Sequence, residues 1–393
     1  MPDNNYNERG EGMKTPCYTV HLDTFEKNCR DVMNAFEAAW NGNVQYGYSV
    51  KTNHDAALMK YAHAKLGWFI ETVSPDEYNY ALNLGFDPEN IIFNGPCKKR
   101  ILEGALRSGA YVNLDNLDEV MEVCTYAEDL DASRLGLRVN FDLEAVCPEE
   151  TTAGDSVSRF GIDCDNGDFK KAVAMLRKAG IEPAGLHMHT STKTRSAGVF
   201  AALAAKVAEL VIKYDLKLKF VDMGGGYFGG QKVPGKPTME QYADVITSEL
   251  KKVLSPDDTT LILEPGASVI ATSVTYEASV LSVRDIRGTK VVTLDGTLLH
   301  VNPFMAHRNQ PYTVLNPSGS EIMSRPLVPK QIICGCTCME NDRFAEICDD
   351  YELQKGDILS FKYAGAYTMA FNSDFIIKPA EVEYQTKTEA TGG

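Results

Sequence analysis

Positive charge is scarce in this chain. Its 393 residues carry 39 Lys and Arg against 54 Asp and Glu, leaving a net charge of −15. That balance argues against nucleic acid or an anionic membrane surface as a partner. Long apolar runs are lacking too. The most apolar stretch, Val199–Ile212, is interrupted by Lys206 and Glu209, which predicts a packed helix and no membrane span. The opening MPDNNYNERGEGMKT has no apolar core and is expected to be neither a secretory signal nor an anchor. Ten cysteines are too few for a disulfide scaffold at this length and fit a reduced cytoplasmic setting. Low-complexity segments, short internal repeats, a GxSxG elbow, an HExxH helix and a Walker loop are all missing. What remains has the composition of a soluble globular enzyme, with 44% apolar and 24% charged residues.

The pattern that is present is an alternation. Short apolar runs occur at VQYGYSV, WFIETV, IIF, YVNL, LGLRV, AGLHMH, LKFVDM and TLILE, between residues 44 and 264. Stretches of helical periodicity separate most of them, several ending at Gly67, Gly85, Gly109 or Gly180. Eight buried strands alternating with helices predict an α/β fold, a (β/α)8 barrel, with a doubly wound sheet as the alternative. Beyond about residue 270 the segments rich in Val, Ile, Thr and Tyr predict a C-terminal antiparallel β domain. The expected division is 1–30, a tail and a strand (CYTVHL) lent to the β domain; 31–270, the barrel; and 271–393, the β domain. The tail after Glu383 is expected to fray.

In a barrel, functional groups gather at the C-terminal ends of the strands. There the sequence places Lys51, Glu71, Asn94, Arg138, His189, Gly224, Gly225, Gly226 and Glu264. Taken singly, a lysine there is usually solvated and a histidine usually structural. Gly224, Gly226 and Gly229 satisfy GxGxxG, but the loop-like QKVPGKP follows where a dinucleotide fold would start a helix. A phosphate cradle fits the loop after the seventh run better than a plain turn does. Cys334, Cys336 and Cys338 alternate instead of showing CxxC spacing. Even with His300 and His307 nearby they predict structural cysteines or one reactive thiol, and no metal site is expected.

In chain order these motifs resemble the fold-type III pyridoxal-phosphate decarboxylases, the family of diaminopimelate and ornithine decarboxylases, more distantly related to alanine racemase. The likeness runs from about Thr15 to Phe375. YGYSVKTN is similar to the family's YAVKAN, which implies that Lys51 is the Schiff-base lysine of a pyridoxal 5'-phosphate enzyme. Glu71 stands where the family has an aspartate near that lysine, and LRVNFD, with Arg138, follows in the expected place. GLHMHTST resembles GLHxHIGS, implying that His189 stacks on the cofactor ring and Thr192 replaces a phosphate-binding serine. DMGGGY matches the glycine phosphate loop, and LEPGAS resembles LEPGR, so Glu264 would pair with the pyridine nitrogen. CGCTCMENDRF resembles a C-D/E-x-x-D segment, with Cys338 as a thiol supplied across a homodimer interface. YAGAYTMAFNSDF resembles GAYxxxxxSxFN, with Tyr367 at the neighbouring subunit's cofactor phosphate.

Departures from the family fall at the far end of the substrate. The arginine of EPGR, which in the family reaches the cofactor phosphate or the distal substrate carboxylate, is Ala267, and Asn302 and Ala306 stand where an RPxLY segment helps bind that carboxylate. Met339 replaces the acidic residue after the cysteine, with Glu340 and Asp342 close by, and Lys193, Arg195 and Arg308 are the cations near enough in sequence to substitute. The resemblance therefore implies decarboxylation of a diamino-acid-like substrate with an altered distal pocket, Asn302, Met339, Glu340 and Asp342 being the substrate-side candidates. Ordinary diaminopimelate decarboxylation yielding L-lysine, racemisation, and a non-catalytic regulator are the alternatives.

Overall fold

A computed structural model describes residues 14–152, 157–305, 309–315 and 321–386. Ala306, His307 and Arg308 lie outside the described residues. The chain divides into two compact units, Asn28–Val269 and Met1–Lys27 together with Ile270–Gly393.

The first unit is the barrel. Its strands are β2 (Val44–Ser49), β3 (Phe69–Thr72), β4 (Ile91–Phe93), β5 (Tyr111–Leu114), β6 (Leu135–Asn140), β8 (Gly185–His187), β9 (Phe220–Asp222) and β10 (Thr260–Leu263). All pair in parallel in that order, and β10 returns to β2 to close the ring. A two-residue strand, β7 (Ile162–Asp163), attaches to β6 outside the ring. The eight apolar runs of the sequence are the eight barrel strands. Nothing in the pattern announces β7, which is too short to carry a period.

Local chemistry starts and stops the helices between them. Asp55, Ser74, Ser196 and Thr238 accept the exposed first-turn amides of four helices. Gly67 ends the helix Ala56–Leu66 at φ 72°, where its amide reaches the Ala62 and His63 carbonyls. In the helix Ala197–Tyr214, Val199, Phe200, Leu203, Ala204, Val207 and Val211 form the buried face, while Lys206 pairs with Glu209 at 2.6 Å. No helix is long and apolar enough to cross a membrane among the described residues.

The two ends of the barrel differ. Residues at or near the strand starts pack together: Phe220, Ile92, Ala184 and Ile262, with Phe69 and Tyr111 against them. A Cβ on Gly185 would lie 2.1 Å from the Phe220 ring, so only glycine leaves room for that plug. A linked network of polar side chains lies at the opposite, C-terminal end.

The second unit is a mostly antiparallel sheet. Its core order is β13 (Tyr312–Leu315), β16 (Ile358–Phe361), β11 (Val274–Ile286), β12 (Thr289–Leu294), β14 (Leu327–Cys334) and β15 (Arg343–Tyr351). β1 (Cys17–His21) pairs antiparallel with β11 and parallel with β17 (Glu381–Gln385). Two features depart from expectation. β12 and β14 run parallel, because more than 30 residues of connection carry the chain back over the sheet. The chain also stays ordered past Glu383, because β1 supplies a partner as far as His21 opposite Gln385.

Candidate active site in the barrel

Lys51 follows β2, and its Nζ lies 2.6 Å from Glu71 Oε2 on the neighbouring strand. Ser49 Oγ donates to the same Glu71 oxygen at 2.7 Å. Asn94, one residue past β4, donates to Glu71 Oε1 at 3.2 Å and to Glu264 Oε1 at 2.5 Å. Asn113 donates to Asn94 Oδ1 at 2.8 Å and to Asp222 Oδ2 at 3.2 Å. Glu71, Asn94, Asn113, Asp222 and Glu264 are all buried, so one hydrogen-bonded chain crosses the barrel from Lys51 to Asp222.

Two carboxyls meet at the centre of that chain. Burial pushes Asp222 well above the usual carboxylate range, reinforced by the Glu264 charge and a hydrogen bond to it. Burial acts upward on Glu264 as well, but His187, Lys51 and the hydrogen bond with Asp222 outweigh it and hold Glu264 low. Asp222 therefore carries the proton and Glu264 the charge, the outcome expected when two buried carboxyls share one site. His187 Nε2 lies 3.5 Å from Glu264 Oε2, and burial lowers the His187 pKa against the pull of that carboxylate. His187, Asp222 and Glu264 are also the one trio among the described residues close enough to hold a metal ion, their ligand atoms lying within 4.8 Å of one another.

His189 sits two residues beyond His187 with its ring nearly parallel, 6.3 Å between centroids. Burial lowers its pKa well below the ordinary imidazole value, and the charges of Arg138 and Lys51 lower it further. Gly225 N–H donates to His189 Nδ1 at 3.1 Å, so the neutral ring carries its proton on Nε2. Arg138 pairs with Asp115 at 3.1 Å and donates to the His189 carbonyl at 3.2 Å.

The glycine loop follows β9. Gly224 has φ 61°, and a Cβ there would strike His189 at 2.7 Å; a Cβ on Gly225 would lie 2.3 Å from the Glu264 carbonyl oxygen. Gly226 has φ 98°. The loop is thus side-chain-free, with Gly224 N–H donating to Asp222 Oδ1 at 2.9 Å and Gly225 N–H to His189 Nδ1, so the Gly226 amide is the one left for a ligand among the described residues. Thr192 Oγ1 accepts from Arg195 N–H at 3.1 Å.

Counting charge inside the cluster, Lys51 offsets Glu71 and Arg138 offsets Asp115, while Glu264 has no cation of its own. A buried uncompensated carboxylate is costly, so the site is built for a ligand bearing positive charge there and an anionic group near the glycine amides. His187, Asp222, Asn113 and Asp115 were not singled out in the sequence. The available signal was spacing: His187 shares a strand face with His189, and Asp222 and Asn113 are polar residues inside otherwise apolar strands.

The remaining expected site residues lie in the β unit. Cys338 is exposed and free, and Tyr367 is 40% exposed. Met339 and Asn302 are half-buried, and Glu340 is exposed and paired with Arg343. Asp342 is held within its own turn. It is buried and accepts from Leu298 N–H at 2.7 Å and Thr337 Oγ1 at 2.6 Å, so its carboxylate braces its own turn. The alternating cysteines also find local partners: Cys336 Sγ faces the Asp295 carbonyl at 3.3 Å, and His300 Nδ1 lies 2.7 Å from the Tyr276 hydroxyl.

A parallel eight-stranded barrel with a lysine, a buried carboxylate and a glycine cradle at its C-terminal end defines a cofactor-binding enzyme of the pyridoxal type. The chain belongs to the pyridoxal-dependent decarboxylases: the family model described as "Pyridoxal-dependent decarboxylase, pyridoxal binding domain" matches residues 22–271. It is a carboxy-lyase that uses pyridoxal 5'-phosphate. A diaminopimelate decarboxylase of Helicobacter pylori (strain J99) is 27% identical over 392 residues, covering 96% of this chain and 92% of its own. Two solved structures share the fold. Diaminopimelate decarboxylase from M. jannaschii in co-complex with L-lysine has a TM-score of 0.80 at 22% identity, covering 95% of this chain and 87% of that one. Lysine/ornithine decarboxylase from Vibrio vulnificus complexed with cadaverine has a TM-score of 0.74 at 21% identity, covering 95% and 93%. The barrel residues fit the cofactor: Gly224 and Gly225 have no room for side chains, and Arg138 Nε and His187 Nδ1 are buried without hydrogen-bond partners among the described residues.

The proton on Asp222 is testable through stability. The folded protein keeps a proton that the unfolded chain, titrating near 3.8, releases. Asp222 therefore contributes less stability as pH rises from its unfolded value through its raised folded value. Asp222→Asn removes that dependence. In urea unfolding of the cofactor-free protein, the variant should gain on wild type by about 1 kcal/mol per pH unit as pH rises above about 4, until the raised folded value is passed. A difference independent of pH would contradict the assignment.

Proposed function

We propose that this enzyme decarboxylates a diamino-acid-like substrate whose far end is not the carboxylate of diaminopimelate, working as a cytoplasmic homodimer with shared active sites. The observation that carries the catalytic part is the buried Glu264 linked through Asn94 to the Lys51–Glu71 pair. In this reading Lys51 holds the cofactor and exchanges it for the substrate amine. Glu264 keeps the ring nitrogen protonated, with Asp222 as the adjoining proton store. Neutral His189 covers the ring face, and Arg138 fixes it through the His189 carbonyl. Gly224, Gly225, Gly226 and Thr192 receive the phosphate. When bound, the cofactor supplies an electron sink for the bond to the departing carbon dioxide.

The β unit supports the shared site. Cys338 and Tyr367 are exposed within one chain, and Phe304, 72% exposed, packs edge-on against exposed Phe371 with ring centroids 5.2 Å apart. An apolar surface of this kind suits a second copy. Cys338 then returns a proton to the product carbon in the partner's barrel, Tyr367 joins the partner's phosphate site, and Asn302, Met339 and Glu340 face its substrate. Ten free thiols support a reducing compartment. Lys51→Ala and Cys338→Ala should each be nearly inactive. After subunit exchange of an equal mixture, activity should recover to about a quarter of wild type, since half the dimers are mixed and each has one intact site. No recovery despite proven exchange would contradict shared sites.

Ala267 carries the substrate argument. Burying a second carboxylate without a partner costs about 2–5 kcal/mol, roughly thirtyfold to several thousandfold in the specificity constant. Met339 weakens the case for plain ornithine or lysine, so a carboxy-polyamine or a diaminopropionate conjugate is favoured. The second reading, diaminopimelate decarboxylation to L-lysine, is supported by the relatives' names. A carbon dioxide release screen over these amino acids separates the two. Diaminopimelate should fall at least about thirtyfold below the best substrate; diaminopimelate ranking first would establish the second reading.

A further inference from the structure

The segment after β8 lies against the glycine loop: a Cβ on Gly226 would stand 3.8 Å from the Thr190 carbonyl oxygen. Within it, Arg195 has φ 58°, a conformation that residues with side chains rarely adopt without support from their surroundings. Three contacts supply that support. Its N–H donates to Thr192 Oγ1 at 3.1 Å, and its carbonyl accepts from the Tyr242 hydroxyl. Its Nη1 donates to the Tyr227 carbonyl at 3.4 Å. Tyr227 is the residue that follows the three glycines. Tyr242 accepts in turn from Phe228 N–H at 3.2 Å, and its ring packs against Tyr227 and Phe200. The loop end and the Arg195 backbone are therefore braced by one aromatic cluster.

What this arrangement presents is a guanidinium with most of its donors uncommitted. An arginine carries five N–H donors, and one of them is engaged here. Among the buried or half-buried cations of the barrel's polar end, Lys51 is matched by Glu71, Arg138 by Asp115 and Lys98 by Glu119. Arg195 makes no such ion pair among the described residues. Lys236, the nearest lysine by contact, is turned to the Thr194 carbonyl at 2.9 Å.

We infer that Arg195 is the cation of the cofactor-phosphate site, held between Thr192 and the end of the glycine loop to bind phosphate oxygens with its free donors. The inference rests on the proposed reading that Gly224–Gly226 and Thr192 receive the phosphate. It adds a strong, directional partner for a dianion that neutral amides and a hydroxyl would otherwise hold alone.

The test compares pyridoxal 5'-phosphate with pyridoxal, which lacks the phosphate, by equilibrium titration of the full-length, cofactor-stripped protein. Arg195→Ala should weaken binding of the phosphorylated form by about tenfold to a hundredfold, leaving pyridoxal within about twofold of wild type on the same scale. Arg195→Lys, which keeps a point charge and the loop, should fall between. Equal weakening of both ligands would overturn the inference and reduce Arg195 to a brace for the loop; unchanged binding of both would overturn it outright. A wild-type protein with no preference for the phosphorylated form would strike the phosphate-cradle reading itself, and the inference with it.

Discussion

Glu264 is a buried carboxyl whose pKa is held low by His187, Lys51 and its hydrogen bond with Asp222 against the pull of burial, and the barrel's polar end is arranged around it. Asn94 donates to it at 2.5 Å, Asp222 holds the neighbouring proton, and His187 lies within 3.5 Å. None of these supplies a full positive charge. A buried carboxylate in such surroundings stabilises a cation that comes with a ligand, and a protonated ring nitrogen is the cation that a pyridoxal cofactor brings.

Backbone architecture makes this environment affordable in one end of the barrel alone. Phe220 plugs the opposite end against Ile92 and Ile262, over glycines that leave no gap. The chain's linked carboxyl, amide and imidazole groups lie at the C-terminal mouth, where eight strand ends converge. Lys51, Glu71, Asn94, His189, the glycine loop and Glu264 come from six strands, yet the network between Lys51 and Asp222 needs no side chain from outside the ring. The β unit carries exposed side chains of a different kind, among them Cys338, Tyr367, Phe304 and Phe371.

Much of this was legible from the chain alone, for identifiable reasons. Fully buried parallel strands are nearly unbroken apolar runs, so all eight barrel strands could be located; the strand ends then indicated Lys51, Glu71, His189 and Glu264. β7 escaped because two residues have no pattern. His187, Asp222 and Asn113 escaped because a single polar residue inside an apolar run looks like an ordinary interruption; its meaning depends on partners about 20 to more than 100 positions away. Asp342 is the opposite case. Its place in the motif suggests a substrate contact, while the Leu298 amide and the Thr337 hydroxyl, which turn it inward, become neighbours when the chain folds. Arg195 stood out in sequence as a nearby cation for a distal carboxylate, but its contacts tie it to the glycine loop instead.

The central claim is that Glu264 keeps the cofactor's ring nitrogen protonated. Nitrogen-15 NMR of the holoenzyme, with the label in the pyridine ring, reads that proton directly. The account predicts a pyridinium chemical shift that persists to well above neutral pH in the wild type and moves to the neutral pyridine value in Glu264→Gln. A neutral ring nitrogen in the wild type, or one equally protonated in the variant, would contradict it.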